Sequence, residues 1–128
     1  LDTISIVDYE SKKIVWAWGS GVLDGQHQAQ MLENGHILLF DNGTLRGYSI
    51  IREFDPRKPE QMIWEYSDPD NFASPFRAGQ QRLHKGNTLI CESECGRIYE
   101  VAPAKENVET NCSQMQEAIA EARKTRAM

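Results

Sequence analysis

The chain has 128 residues, 40% of them hydrophobic and 26% charged, with a formal net charge of −5. That length allows one domain with a real core, and the composition is that of an ordinary globular protein. The acidic balance argues against nucleic acid or an anionic membrane surface as the main partner, and no apolar run approaches a membrane span.

The chain opens at Leu1 with no signal-peptide pattern, which reads as a processed or excised piece and leaves the compartment unread. A first strand is expected near residues 3–8 and a second over 13–19, joined through Asp8-Tyr9-Glu10-Ser11-Lys12. Four more follow near residues 27–32, 36–41, 48–55 and 61–67. Glu33-Asn34-Gly35 between the first two of these is a hairpin signal, because Asn-Gly accepts the positive φ angles that match strand twist. His36-Ile37-Leu38-Leu39-Phe40 is a short apolar run bounded by turns and reads as a buried strand, whereas His27-Gln28-Ala29-Gln30-Met31-Leu32 suits a strand lining a wet interior. Asp68-Pro69-Asp70-Asn71-Phe72-Ala73-Ser74-Pro75 is rich in turn formers and reads as a loop. Strands then recur near 79–83, 87–92 and 97–102. From Ser113 the pattern turns helical: Gln116 completes a cap signal, Met115, Ala118, Ile119 and Ala122 share a face, and Arg123, Lys124 and Arg126 suit a helix C-terminus.

Internal similarity decides the expected fold. Lys13-Ile14-Val15-Trp16 is echoed by Gln61-Met62-Ile63-Trp64, Gln30-Met31-Leu32-Glu33-Asn34-Gly35 by Gln81-Arg82-Leu83-His84-Lys85-Gly86, and Ile51-Arg52-Glu53-Phe54-Asp55-Pro56 by Ile98-Tyr99-Glu100-Val101-Ala102-Pro103. The echoes recur at about 47–51 residues, the length of one four-stranded propeller blade. The expectation is an all-β chain of four-stranded antiparallel blades, a partial β-propeller: half a blade over 1–20, a blade over 26–68, an incomplete blade over 78–104, then a linker and C-terminal α-helix over 105–128. The weak place is the last strand, where Lys105-Glu106-Asn107-Val108-Glu109-Thr110 offers no tryptophan. A propeller hides its sheets only in a closed ring, and six blades at this period need roughly 290 residues. The rest of the ring has to come from more of the same chain, from further copies or from other chains, and three copies give the simplest closure.

Asp8-x4-Lys13-x2-Trp16 resembles the tryptophan-docking turn of quinoprotein-type propellers, and Asp55 to Trp64 repeats it with one extra residue. Both tryptophans read as packing groups. Cys91, Cys95 and Cys112 do not form a zinc pattern and read as small buried or turn thiols, with a Cys91–Cys95 disulfide in an oxidising compartment left open. No metal or cofactor constellation is read. Asn42-Gly43-Thr44 and Asn111-Cys112-Ser113 match a glycosylation sequon too short to carry weight.

The residues expected to carry chemistry are His27, which opens a first strand, and Arg46, which follows the Asp41-Asn42-Gly43 turn. An arginine binds sulfate or phosphate oxygens through paired hydrogen bonds, and an imidazole gives or takes a proton. Asn42, in the turn between them, completes the candidate ligand-binding set. The plainer alternative is a histidine on a backbone carbonyl and a solvated arginine.

His27-Gln28-Ala29-Gln30-Met31-Leu32, Asn34-Gly35, Leu39-Phe40-Asp41-Asn42-Gly43, Trp64-Glu65-Tyr66 and Gln81-Arg82-Leu83-x2-Gly86-Asn87-Thr88-Leu89-Ile90 resemble the bacterial-type arylsulfate sulfotransferases and their propeller relatives over most of 6–103. The resemblance implies a six-bladed propeller that moves a sulfuryl group from a phenolic sulfate to a phenol, through a transiently sulfated histidine, in a periplasmic or secreted setting. It puts His27 on a channel histidine and Arg46 on the arginine that steadies sulfuryl oxygens. The chain departs from the pattern at Ala78-Gly79-Gln80, where a second channel histidine is missing; His84 falls in a turn and His36 at the start of a second strand. Two readings follow: an arylsulfotransferase-like transferase acting on a phenolic sulfate or other small anion, and a non-catalytic propeller module for protein or small-anion binding. A quinone-cofactor dehydrogenase rests on the Asp-Lys-Trp turns alone.

Overall fold

A computed structural model describes residues 1–105 and the backbone of residues 107 and 108. The described part is all-β, built from antiparallel sheets. The expected C-terminal helix and Cys112 lie outside the described residues. The chain divides into two compact units, Leu1–Ala78 and Gly79–Met128.

The first unit opens with a hairpin of β1 (Ile4–Val7) and β2 (Ile14–Trp18), then forms a four-stranded meander of β3 (His27–Met31), β4 (Ile37–Asp41), β5 (Ile50–Phe54) and β6 (Met62–Ser67) in that order. Every residue of β4 is buried, as its unbroken apolar run requires of a strand covered on both faces. Strand alternation sends Ile37, Leu39 and Asp41 to one face and Leu38 and Phe40 to the other. On the first face Ile37, Leu39, Phe54 and Leu23 form a core against which Ile4, Ile6, Trp16, Trp18 and Met62 pack. Trp18 meets Phe54 with ring centroids 4.7 Å apart. On the second face Phe72, from the loop after β6, sits edge-on to Phe40 and also touches Tyr66, at 5.5 Å from each. A tail-end loop residue thus seals the central strand.

The second unit repeats the plan with β7 (Gly79–Arg82), β8 (Thr88–Glu92), β9 (Arg97–Val101) and β10 (Asn107–Val108), in the sheet order β10-β9-β8-β7. Its fourth strand is a two-residue pairing of Asn107 with Val101 and Val108 with Glu100. Among its described residues Ile90, Tyr99 and Val101 are buried and apolar. Cys91 and Cys95 are free thiols.

The hairpin expected at Glu33-Asn34-Gly35 forms, with a bulged loop rather than a two-residue one. Leu32 N–H donates to His36 O at 2.8 Å and Gly35 N–H to Leu32 O at 2.9 Å, so the loop has three residues and Gly35 alone is left-handed, at φ 84°. Asn34 instead accepts the His36 N–H on its side-chain oxygen at 3.0 Å. The second unit builds the same turn, with Leu83 N–H on Asn87 O and Gly86 at φ 93°. A glycine after a tight type I turn forms this bulged loop more readily than the paired left-handed residues of the shorter one.

Candidate functional site

Three loops of the first unit meet at the end of β4: residues 24–27 leading into β3, the turn 42–49 between β4 and β5, and residues 72–77 after β6. Asp24 knots the first two. Its amide donates to Asp41 Oδ1 at 2.8 Å, its carbonyl accepts the Gly43 N–H at 2.8 Å, and its carboxylate accepts the Leu45 and Arg46 amides at 2.9 and 2.7 Å. Glycine at 43 is required: its φ is +75°, and an added Cβ falls 1.8 Å from Tyr48 O. Ser49 joins the third loop, donating its hydroxyl to Asn42 O and accepting the Ser74 N–H, both at 2.8 Å.

Arg46 is held rather than solvated. Its Nε donates to Tyr48 O at 3.1 Å, Nη1 to Asp41 Oδ2 at 3.2 Å and Nη2 to Asp41 O at 3.1 Å. Its guanidinium carbon lies 5.1 Å from the Tyr48 ring centre. Asp41 is fully buried and also accepts Arg52 Nε at 2.8 Å, while Arg52 pairs in turn with Glu65. Two arginines and two carboxylates make a charge-balanced set, which is how buried ions are tolerated.

His27 starts β3 on the exposed side, where Gln28 adopts φ 50° and the pairing with β4 slips between His27 and Gln30. Its Nδ1 lies 2.9 Å from Asn42 Oδ1 and 3.1 Å from Gly25 O, and Nε2 makes no hydrogen bond among the described residues. Asn42 is fully buried, and its Nδ2 donates to Ser74 O at 2.8 Å and Arg77 O at 2.7 Å. The structure therefore joins His27 directly to Asn42, while Arg46 is committed to Asp41 and the turn carbonyls. β3 itself is an exposed edge strand.

Sequence reasoning missed Asp24, Asp41, Arg52, Ser74 and Arg77. A lone arginine inside Ile50-Ile51-Arg52-Glu53-Phe54 was the available signal that a buried carboxylate faces it. His36 sits elsewhere, its Nδ1 2.9 Å from the buried Glu53 carboxylate. Among the described residues no group of three or more histidine, cysteine, aspartate or glutamate side chains is placed to hold a metal ion. An apolar cleft of ≈ 250 Å³ between β1 and β3 has no titratable lining residue. Among the described residues no helix is long and apolar enough to cross a membrane. No protein-family pattern, curated protein or solved structure matches the chain.

Proposed function

We propose that the chain is a segment of an arylsulfotransferase-like β-propeller, and that His27 is its residue that meets the sulfuryl group passing from a phenolic sulfate to a phenol. One observation carries the reading: His27 is exposed and anchored through Nδ1, with Nε2 making no hydrogen bond among the described residues. A ring nitrogen presented in this way takes a sulfuryl group or a proton without first breaking a bond to the protein. The two sequential four-stranded meanders, each with the same bulged glycine turn, suit blades of one ring. Further blades, from the same chain or others, complete the channel. Arg46 keeps guanidinium N–H groups beyond the three bonds it makes, and these are assigned to a sulfuryl oxygen.

A second reading is favoured by the Arg46–Asp41 ion pair, which offsets the charge an anion clamp needs. It makes the chain a non-catalytic module that holds a small anion or a protein partner. Transfer from 4-nitrophenyl sulfate to phenol separates the two, followed as nitrophenolate release with the phenyl sulfate identified by mass. Transfer that falls about 100-fold or more in His27→Gln is the expected result. Transfer indifferent to His27→Gln overturns the assignment, and saturable aryl sulfate binding without transfer, lost in His27→Gln, establishes the module instead.

A further inference from the structure

We infer that Asn42 is a positioning residue that keeps the proton of neutral His27 on Nδ1 and so leaves the lone pair on Nε2. The inference deepens the sulfuryl-transfer reading and rests on it for its functional meaning, although the geometry stands without it.

The orientation of the Asn42 amide is fixed by what surrounds it. Two backbone carbonyls, of Ser74 and Arg77, lie at 2.8 and 2.7 Å from one end of the amide. A carbonyl oxygen only accepts, so the group facing them is the NH2, with both hydrogens used. Turning the amide over sets three oxygens against one another in a fully buried place, a costly arrangement. Oδ1 therefore faces His27. With Asn42 Oδ1 at 2.9 Å and Gly25 O at 3.1 Å, Nδ1 of His27 meets two acceptors and no donor. It must carry the hydrogen, and in the neutral ring Nε2 then has none. A free imidazole prefers the opposite arrangement, with its proton on Nε2, so the site reverses the ordinary preference.

The surrounding backbone supports a built arrangement. Gln28, Arg77 and Ala78 are non-glycine residues at φ 50°, 60° and 79°, one beside His27 and two at the loop whose carbonyl orients Asn42. Strain of this kind persists only where the surroundings over-determine it. The choice of an amide over a carboxylate also follows. An aspartate at 42 favours the imidazolium, which has no lone pair on Nε2, and places negative charge near an anionic sulfuryl group. A neutral acceptor orients the ring and does neither.

The test uses the whole chain with 15N-labelled histidine, read by two-bond nitrogen–proton correlation at a pH where the rings are neutral and with no sulfate ester present. The expected spectrum has His27 protonated on Nδ1, and Asn42→Ala moves the tautomer ratio about fivefold toward Nε2–H, the shift one ordinary hydrogen bond sustains. His36 and His84 stay as they are, which separates positioning from general loosening. If Asn42→Ala does not fold, Asn42→Ser leaves a donor for one of the two carbonyls while withdrawing the acceptor from His27, and the same shift is expected. A wild-type His27 protonated on Nε2 overturns the inference, as does a folded variant with an unchanged ratio, which assigns the tautomer to Gly25 O alone. Because the spectrum needs no substrate, a wrong tautomer and a failed transfer assay refute different statements.

Discussion

Asp55 is gripped by its neighbour two residues on. Arg57 donates its amide and Nε to Oδ1, both at 2.9 Å, and Nη2 to Oδ2 at 2.6 Å. These bonds favour the charged carboxylate and pull its pKa from 3.8 down to about 2. Asp8, at the equivalent place before Trp16, is likewise lowered by its bonds from Ser11. A folded pKa below the unfolded one gives stability that is present above pH 3.8 and lost as the pH falls toward about 2. Arg57 is largely exposed, so the contribution is small and weakened by salt. Carboxyl titration by NMR is expected to show Asp55 returning toward 3.8 in Arg57→Gln while Asp8 stays low; an unmoved Asp55 refutes the Arg57 attribution. At this scale the sequence pointed to His27, Arg46 and Asn42 by position, but their partners were not legible. Whether Arg46 is solvated or held depends on Asp41, and Asp41 is tied to Asp24, which stands 17 residues earlier in the chain.

The turn 42–49 between β4 and β5 is the element on which the candidate site depends, and the constraint on its Gly43 differs in kind from that on Gly35 in the hairpin between β3 and β4. At Gly35 nothing lies within 4 Å of an added Cβ, so Gly35→Ala meets only the left-handed backbone cost of about 1 kcal/mol. At Gly43 the Cβ runs into the Tyr48 carbonyl, and Gly43→Ala is expected to cost about 4 kcal/mol or more. Urea unfolding of both variants checks the order; equal losses mean that the turn relaxes around a side chain. Strand positions were readable because apolar alternation and turn residues mark them locally: the expected strand near 61–67 is β6 (Met62–Ser67), and that near 79–83 is β7 (Gly79–Arg82). The turn type was not, because Asn34-Gly35 fits both the two-residue and the bulged loop. The hydrogen bond from Leu32 to His36 chooses between them.

For the molecule as a whole, the hairpin β1–β2 is, among the described residues, a sheet of two strands. Its echo in the chain, β5–β6, is extended by β4, whereas β1 and β2 form a sheet of two with Val7, Ile14 and Val15 more than half exposed. A lone hairpin is marginal in water, and open edges invite pairing. If three copies close a ring, light scattering is expected to give about three times the mass of one chain, since about seven or eight blades fall within the range that propellers use. A strictly monomeric chain refutes closure by copies of itself. The hydrogen bonds of Asn42 and Ser49 to Ser74 and Arg77 have a consequence that reaches across the first unit. They make the loop after β6 a part of the histidine's support, so that opening the loop and disordering the imidazole are one event. By thermodynamic reciprocity, a ligand that grips His27 shifts the equilibrium of residues 72–77 away from the opened form, and a change that loosens those residues weakens a ligand it never touches.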